Sequence, residues 1–289
     1  MIRILLLGRT GNNLFQYALG RVLAEKHKVP LVLDASWFDG KGWREVSRFL
    51  KLPIKATVRR HPSLASRALR KTTGRHYWEY RGVPVLREPG GNHSFDPAFL
   101  EAPADCMLFG YFQSPLYFRS VEHDLRAEFL SLLSAGVDPN PGLKEKISAP
   151  GSVAVHVRRT DFLNIAAHQV CGVDYYMVAM EKLRSLVPNA KFHIFSDDPD
   201  WCRSRFIGPD QEVVHSPGEA SNPLHDMYLM SLAPHHIIAN SSYSWWSAWL
   251  GNKPGQQVLM PDLWFAGGID APVEEKKQPH WTVVPAGTH

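Results

Sequence analysis

Ser152-Val153-Ala154-Val155-His156-Val157-Arg158-Arg159-Thr160-Asp161-Phe162 is an apolar run that ends abruptly in two guanidinium groups and a carboxylate. Residues 152–157 read as a buried strand, because a short β-branched and apolar run closed by charge has the length and composition of one. Arginine presents a planar fork of donors that stays protonated and fits phosphate oxygens two at a time. Two arginines in succession suit a diphosphate. A strand end whose arginines pair with surface acids is the plainer alternative, and the surrounding chain decides between them.

Downstream the alternation is regular. The patterning predicts a helix from about Asp174 to Leu186, a strand Phe192–Phe195, a helix near Pro199–Phe206 and a strand Gln211–His215. A helix Leu224–Leu232, a strand His236–Ala239, a helix Tyr243–Leu250 and a strand Gln257–Met260 follow. Such a series predicts a doubly wound parallel sheet. Ligands of open parallel sheets bind beyond the carboxyl ends of the strands. The unusual polar clusters fall there: His156 to Asp161, Ser196-Asp197-Asp198, and Asn240-Ser241-Ser242-Tyr243-Ser244.

Upstream, Ile2–Leu7 reads as a strand, Gly8-Arg9-Thr10-Gly11-Asn12-Asn13 as a tight loop, and Leu14 to about His27 as a helix. A second strand, Pro30–Leu33, ends at Asp34. The glycines allow a close backbone approach to a ligand, and a helix N-terminus follows. Neither the G-x-G-x-x-G spacing nor a P-loop Gly-Lys-Ser/Thr is present, and a simple turn with Asn12 as N-cap satisfies the same residues. From about 55 to 92 the chain is basic, irregular and broken by Gly and Pro. Cys106 to Ser114 returns to a strand and loop, and Glu122–Leu133 has helical spacing. Ser134 to Gly142 is rich in Gly and Pro. These features predict an N-terminal α/β lobe over 1–140, with a basic irregular insertion near 55–92, and a C-terminal Rossmann-like lobe over 141–289.

Composition sets the outer limits. The chain has 289 residues, 44% of them hydrophobic, and a formal charge of +4, enough to build proper cores and to favour anionic partners. Its 3 cysteines are widely spaced without a C-x-x-C pair, which predicts a reducing, cytoplasmic setting. Ile2–Leu7 is too short for a signal h-region, and no apolar stretch reaches the roughly 20 residues that span a bilayer. The expectation is a soluble protein or one attached peripherally at the inner face of the membrane.

Each cluster also has a plain structural role. Serines cap helices widely, and Trp245, Trp246 and Trp249 have the spacing of a buried helix face. Asp198-Pro199-Asp200 looks like a metal-holding D-x-D pair, but Asp followed by Pro is the signature of an N-cap with Pro at the first helical position, so no metal site is expected. Asp197 is placed to accept from a ribose hydroxyl or a base. Among the 14 histidines only His156 draws a functional role. The basic stretch fits a solvated surface or an anionic membrane face better than nucleic acid, since no RNP-like or helix-turn-helix pattern accompanies it.

Together these segments resemble the bacterial alpha-1,2-fucosyltransferase family. Gly8 to Ala18 is similar to its opening G-G-L-G-N-Q-x-F-Q-Y-A, and His156 to Asp161 matches the H-x-R-R-x-D signature shared with alpha-1,6- and protein O-fucosyltransferases. Gly110-Tyr111-Phe112-Gln113-Ser114, Phe195 to Asp198 and Asn240 to Trp246 look like further family blocks. Arg9, Thr10, Asn13 and Thr160 depart from the usual residues, and the G-R-x-G-N opening is similar to that of the protein O-fucosyltransferases.

The resemblance implies a GT-B-like fold, with two Rossmann-type lobes whose parallel sheets face across a cleft. It implies metal-independent, inverting transfer of L-fucose from GDP-fucose to a hydroxyl, the 2-OH of a galactose in a glycan or lipid-linked oligosaccharide. No cofactor is implied beyond this co-substrate. Arg158, Arg159, Asp161 and Asn12 are the expected catalytic set. Gly8, Arg9, Thr10, Gly11, Asn13, His156, Ser196, Asp197, Ser241, Ser242, Tyr243 and Ser244 are the expected donor-binding set. Transfer in another linkage, another GDP-sugar donor, and a non-catalytic GDP-sugar or carbohydrate-binding protein are the alternatives.

Overall fold

The computed structural model describes residues 1–38, 43–59, 72, 77–90, 94–135, 141–214, 223–269 and 271–287. The chain divides into two compact units, Met1–Glu128 and Phe129–His289. The division falls inside a helix, ahead of the Gly- and Pro-rich stretch, of which residues 136–140 lie outside the described residues.

The first unit is built on five parallel strands: β1 Ile2–Leu5, β2 Leu31–Asp34, β3 Thr57–Arg59, β4 Val85–Arg87 and β5 Cys106–Phe109. Their order is β3-β2-β1-β5-β4. All four residues of β1 are buried, as a central strand covered on both faces requires. Helix α1, Thr10–His27, crosses from β1 to β2 and begins four residues earlier than the periodicity suggests. The expected loop is therefore short, with Arg9 as N-cap and Asn12 inside the first turn. Two polar side chains explain the early start. Asn13 Nδ2 donates to Leu7 O at 2.9 Å, and Gln16 Oε1 accepts from Leu7 N at 3.1 Å, so the helix is bonded directly to the segment that leads out of β1. Helix α2 spans Trp43–Leu50.

The basic stretch is more ordered than its composition suggests. Its described part supplies β3, the short helix α3 Tyr77–Tyr80, and β4. Strands of three residues at sheet edges carry no usable alternation, which is why sequence pattern misses them. Trp78 fastens the stretch down: its Nε1–H donates to fully buried Asp34 at 2.9 Å, and the guanidinium groups of Arg3 and Arg59 lie 4.4 and 4.8 Å from its ring centroid. Arg60, Arg67, Arg70, Lys71 and Arg75 lie outside the described residues.

Helix α4, Glu122–Ala135, leads into the second unit. There helix α5, Pro141–Ser148, precedes β6, Ser152–Val157, all six of whose residues are buried. Helix α6 Val173–Leu186, β7 Lys191–Ser196, helix α7 Pro199–Arg205 and β8 Gln211–Val213 follow. Residue 215, expected to end this last strand, is outside the described residues. Helix α8 Pro223–Leu232, β9 His235–Ile237, helix α9 Ser242–Gly251, β10 Val258–Pro261 and β11 Trp281–Val284 complete the unit. Helix α5 and strand β11 have no counterpart in the sequence expectations, because one starts within the Pro- and Gly-rich stretch and the other is preceded by a long irregular connection.

The six strands are parallel and ordered β11-β10-β9-β6-β7-β8. Counted within the unit this is the dinucleotide-binding order 3-2-1-4-5-6. The chain winds one way from β6 through β7 and β8 and the other way from β9, so the switch point lies between β6 and β9. Trp245, Trp246 and Trp249 of α9 are each at most 1% exposed and form a stacked and edge-on cluster that fixes this helix in the core.

Candidate active site

The carboxyl end of β6 delivers Arg158 and Arg159 to the switch point. Arg158 Nη2 lies 2.6 Å from Asp161 Oδ1, and its Nη1 lies 3.1 Å from Asp197 Oδ2. Asp197, at the carboxyl end of the neighbouring β7, also accepts from the main-chain N–H of Arg159 at 2.9 Å and from the hydroxyl of Thr160. Burial alone would raise the Asp197 carboxyl, but Arg158, Thr160 and the Arg159 N–H outweigh it and hold it below the ordinary carboxylate range. Asp197 is thus an ionised anchor for the arginine loop. The sequence expectation gives it to a nucleoside, whereas its bonds here go to Arg158, Arg159 and Thr160.

Arg159 is held differently. Its Nε donates to Asp198 Oδ2 at 3.0 Å, and its guanidinium carbon lies 3.6 Å from the centroid of Trp201. Neither of its terminal nitrogens has a hydrogen-bond or ion-pair partner among the described residues. The support comes from the start of α7. Asp198 is its N-cap, accepting from Trp201 N at 3.3 Å, with Pro199 in the first helical turn, as the Asp-Pro pair predicts. One carboxylate therefore caps the helix with Oδ1 and seats the arginine with Oδ2. Ser196 Oγ accepts from Asp198 N at 3.0 Å and completes the turn.

His156 is 5% exposed, and its ring lies 5.1 Å from that of Tyr243. Burial, aided by Arg158 and opposed by Asp197, pushes it down to about 3, so the ring is neutral at working pH. Its Nδ1 is buried without a hydrogen-bond partner among the described residues.

Across the switch point, Ser241 is the N-cap residue of α9 and Ser242 opens the helix, whose first-turn N–H groups have no partner within the helix. Ser244 does not join them. It is fully buried, and its hydroxyl donates to Ala239 O and Ser241 O at 3.3 and 3.1 Å, which places this expected donor-binding residue within the core. The Tyr243 hydroxyl donates to Pro223 O at 2.5 Å. Asn240 Nδ2 bonds the carbonyls of His168 and Trp264 at 3.1 and 3.0 Å, tying the loop after β9 to its neighbours.

In the first unit, the loop after β1 meets the loop after β5. Gly8 has φ +69°, a region open to glycine, and a Cβ there would come within 2.2 Å of Asn12 Nδ2. Asn12 Oδ1 accepts from Gln113 Nε2 at 2.8 Å. Arg9 is exposed and Asn12 half-buried, whereas Thr10, Gly11 and Asn13 are buried. Asn13, expected among the donor-binding residues, is turned inward onto Leu7 O. Glu88 shapes the partner loop by accepting from Tyr111 N and Phe112 N at 2.7 and 3.2 Å.

Of the expected residues, His156, Arg158, Arg159, Asp161, Ser196 and Asp197 come together beside β6 and β7, with Ser241, Ser242 and Tyr243 across the switch point. The Gly8–Asn13 group belongs to the other unit. Sequence reasoning misses Trp201 and Glu88. Trp201 has a local signal, since it occupies the position that an N-cap aspartate bonds, three residues after Asp198.

A chain with two parallel-sheet α/β units, one of them carrying the dinucleotide-binding strand order with an arginine pair at its switch point, has the GT-B architecture of nucleotide-sugar transferases. Residues 93–284 match glycosyl transferase family 11, and the chain belongs to that family. It is a glycosyltransferase. It is similar to an Escherichia coli alpha-1,2-colitosyltransferase, with 29% identity over 90% of this chain and 91% of that one. It is also similar to the O-antigen biosynthesis glycosyltransferase WbnK of Escherichia coli, with 28% identity over 90% of this chain and 93% of the relative. Among solved structures, the fucosyltransferase NodZ from Bradyrhizobium matches with a TM-score of 0.50 at 18% identity, over 85% of this chain and 90% of that one, a likeness of fold. Among the described residues no helix is long and apolar enough to cross a membrane.

Proposed function

We propose that the enzyme transfers L-fucose from GDP-fucose to a hydroxyl of a glycan, the 2-OH of a galactose, with inversion and without a metal. The observation that carries this reading is the arginine pair at the switch point of the second unit, facing the end of β6 where a nucleotide diphosphate binds in this strand order. As the bond from the anomeric carbon to the β-phosphate oxygen breaks, its electron pair passes to GDP. The acceptor oxygen bonds to the opposite face of that carbon, and its proton passes to solvent water. Fixed guanidinium donors aimed at the leaving diphosphate stabilise that growing charge.

In this reading Arg159 offers its terminal nitrogens directly. Arg158 contributes its charge to the β-phosphate in competition with Asp161, and Asp197 keeps the loop in place. The N-terminus of α9 with Ser241 and Ser242 favours the phosphates, and neutral His156 serves the nucleoside side. The Gly8–Asn13 loop, through Asn12, serves the acceptor. A cytoplasmic enzyme acting on a lipid-linked oligosaccharide, held at the inner membrane face by the basic 55–92 stretch, is the setting that fits.

Calorimetric titration in EDTA with GDP, GDP-fucose, GDP-mannose, UDP-galactose and ADP tests the donor. Binding of GDP and GDP-fucose alone is expected, and the absence of any guanine-nucleotide binding would overturn the reading. Loss of transfer in EDTA would remove the metal-free part. The alpha-1,2-colitosyltransferase relative favours one second reading, GDP-colitose as donor, and a comparison of kcat/KM for the two GDP-sugars separates them.

A further inference from the structure

We infer that Trp201 is a positioning residue for Arg159, holding the guanidinium so that its terminal nitrogens present to the donor diphosphate; the inference rests on the donor reading above. Arg159 has two fixed points. Its Nε is bonded to Asp198 Oδ2 at 3.0 Å, and its guanidinium carbon lies 3.6 Å above the Trp201 ring centroid. A single bond at Nε leaves the plane of the fork free to rotate. An aromatic face beneath it does not, because a stacked guanidinium keeps its plane near that of the ring and its N–H groups directed outward at the edges. With Nε bonded and the plane fixed, both terminal nitrogens are set without a protein partner among the described residues.

Trp201 is itself immobilised. Its main-chain N–H is bonded by the same Asp198 that pairs with Arg159, and its ring packs at 76° against Phe206, which is 4% exposed. The helix cap, the aromatic face and the arginine thus form one rigid unit at the start of α7. Arg158 has no such arrangement, since both its terminal nitrogens face carboxylates and its guanidinium carbon lies 5.7 Å from the centroid of Phe162.

The test is a double-mutant cycle on GDP affinity, measured by calorimetry on the whole chain, with Trp201→Ala, Trp201→Phe, Arg159→Ala and the Trp201→Ala/Arg159→Ala pair. Loss of the stack is expected to weaken GDP on the order of tenfold, with Trp201→Phe restoring most of it. In the Arg159→Ala background the Trp201→Ala change is expected to add nothing, because the group it positions is gone. Wild-type affinity in Trp201→Ala, or an equal loss in both backgrounds, would overturn the inference and leave the donor reading standing. If the wild-type chain binds no GDP, the donor reading itself fails and the inference falls with it. A general loosening of the lobe is separated by the aromatic variant, which keeps the packing on Phe206.

Discussion

Arg158 faces carboxylates with both terminal nitrogens, Asp161 at 2.6 Å and Asp197 at 3.1 Å, whereas the adjacent Arg159 bonds Asp198 through Nε alone and lies on Trp201. Neighbouring residues leaving a strand project to opposite sides, so two arginines in a row meet different partners. The pair therefore combines a guanidinium whose two terminal nitrogens face carboxylates with one that is paired through Nε and stacked on a ring.

Arg158→Ala removes the counter-charge from Asp161 and Asp197 at once. Transfer should fall below about a tenth of the wild-type kcat, and the loss of one charged partner from Asp197, which keeps its bonds from Arg159 N and Thr160, should cost roughly 1–3 kcal/mol. Steady-state kinetics together with a urea midpoint check both parts. Asp161→Asn acts the other way on binding: with one competitor for Arg158 gone, GDP should bind more tightly, and a weaker affinity by calorimetry would count against competition.

Arg159→Ala should leave the fold intact and lower kcat by about 2.7–4 kcal/mol in barrier terms, the usual loss for one donor to a developing charge. Arg159→Lys should recover little, since a point charge does not reproduce a stacked fork. Retention of most of the turnover by the Lys variant would contradict the geometry.

Asn13→Ala breaks the bond that joins the start of α1 to Leu7 O in a site with no exposure. A buried carbonyl left without its donor costs roughly 1–3 kcal/mol, so a lower melting temperature is expected. Calorimetric GDP affinity should stay at the wild-type value, because the side chain faces the core.

Gly8→Ala combines a left-handed backbone at φ +69° with a Cβ that displaces Asn12 from its place beside Gln113. The strain is about 1–2 kcal/mol. Turnover should drop further than stability does, with the effect on the acceptor KM rather than on GDP binding.

His236 gives the pH prediction. Burial, with Lys253 and His235 adding to it and the Met230 carbonyl opposing, pushes the ring down to about 3. The ring bonds Met230 O and Gln256 as a neutral group. A folded-state value below the unfolded one means that the unfolded chain binds the extra proton. Stability should thus be full above about pH 6.5 and fall as the pH drops toward 3. His236→Gln should flatten that fall in urea midpoints measured between pH 7 and pH 4, and an unchanged slope would exclude the assignment.

Strand β6 and the Asp198 cap were legible because both are local: an apolar run of the right length, and an Asp-Pro pair before a helical turn. The early start of α1 was not, since Thr10 to Asn13 have poor helical character and the turn is held by bonds from Asn13 and Gln16 to the segments that follow β1 and β5. Ser244 looks like a ligand-facing serine in sequence and is a buried back-bonded one in the fold. Residues two positions apart on a helix do not share a face, so Ser242 and Ser244 part company.

By itself the sequence determined the alternation of strands and helices, the all-buried character of β6 and the order of the polar clusters, because periodicity and capping are properties of neighbouring residues. Only the tertiary structure decided that β6 lies between β7 and β9, and that the Arg159 main chain is bonded by a carboxylate 38 residues away. Strand order is fixed by which buried faces pack together, and the direction of an arginine by charges and rings that strand order brings beside it. Neither is written in the spacing of adjacent residues.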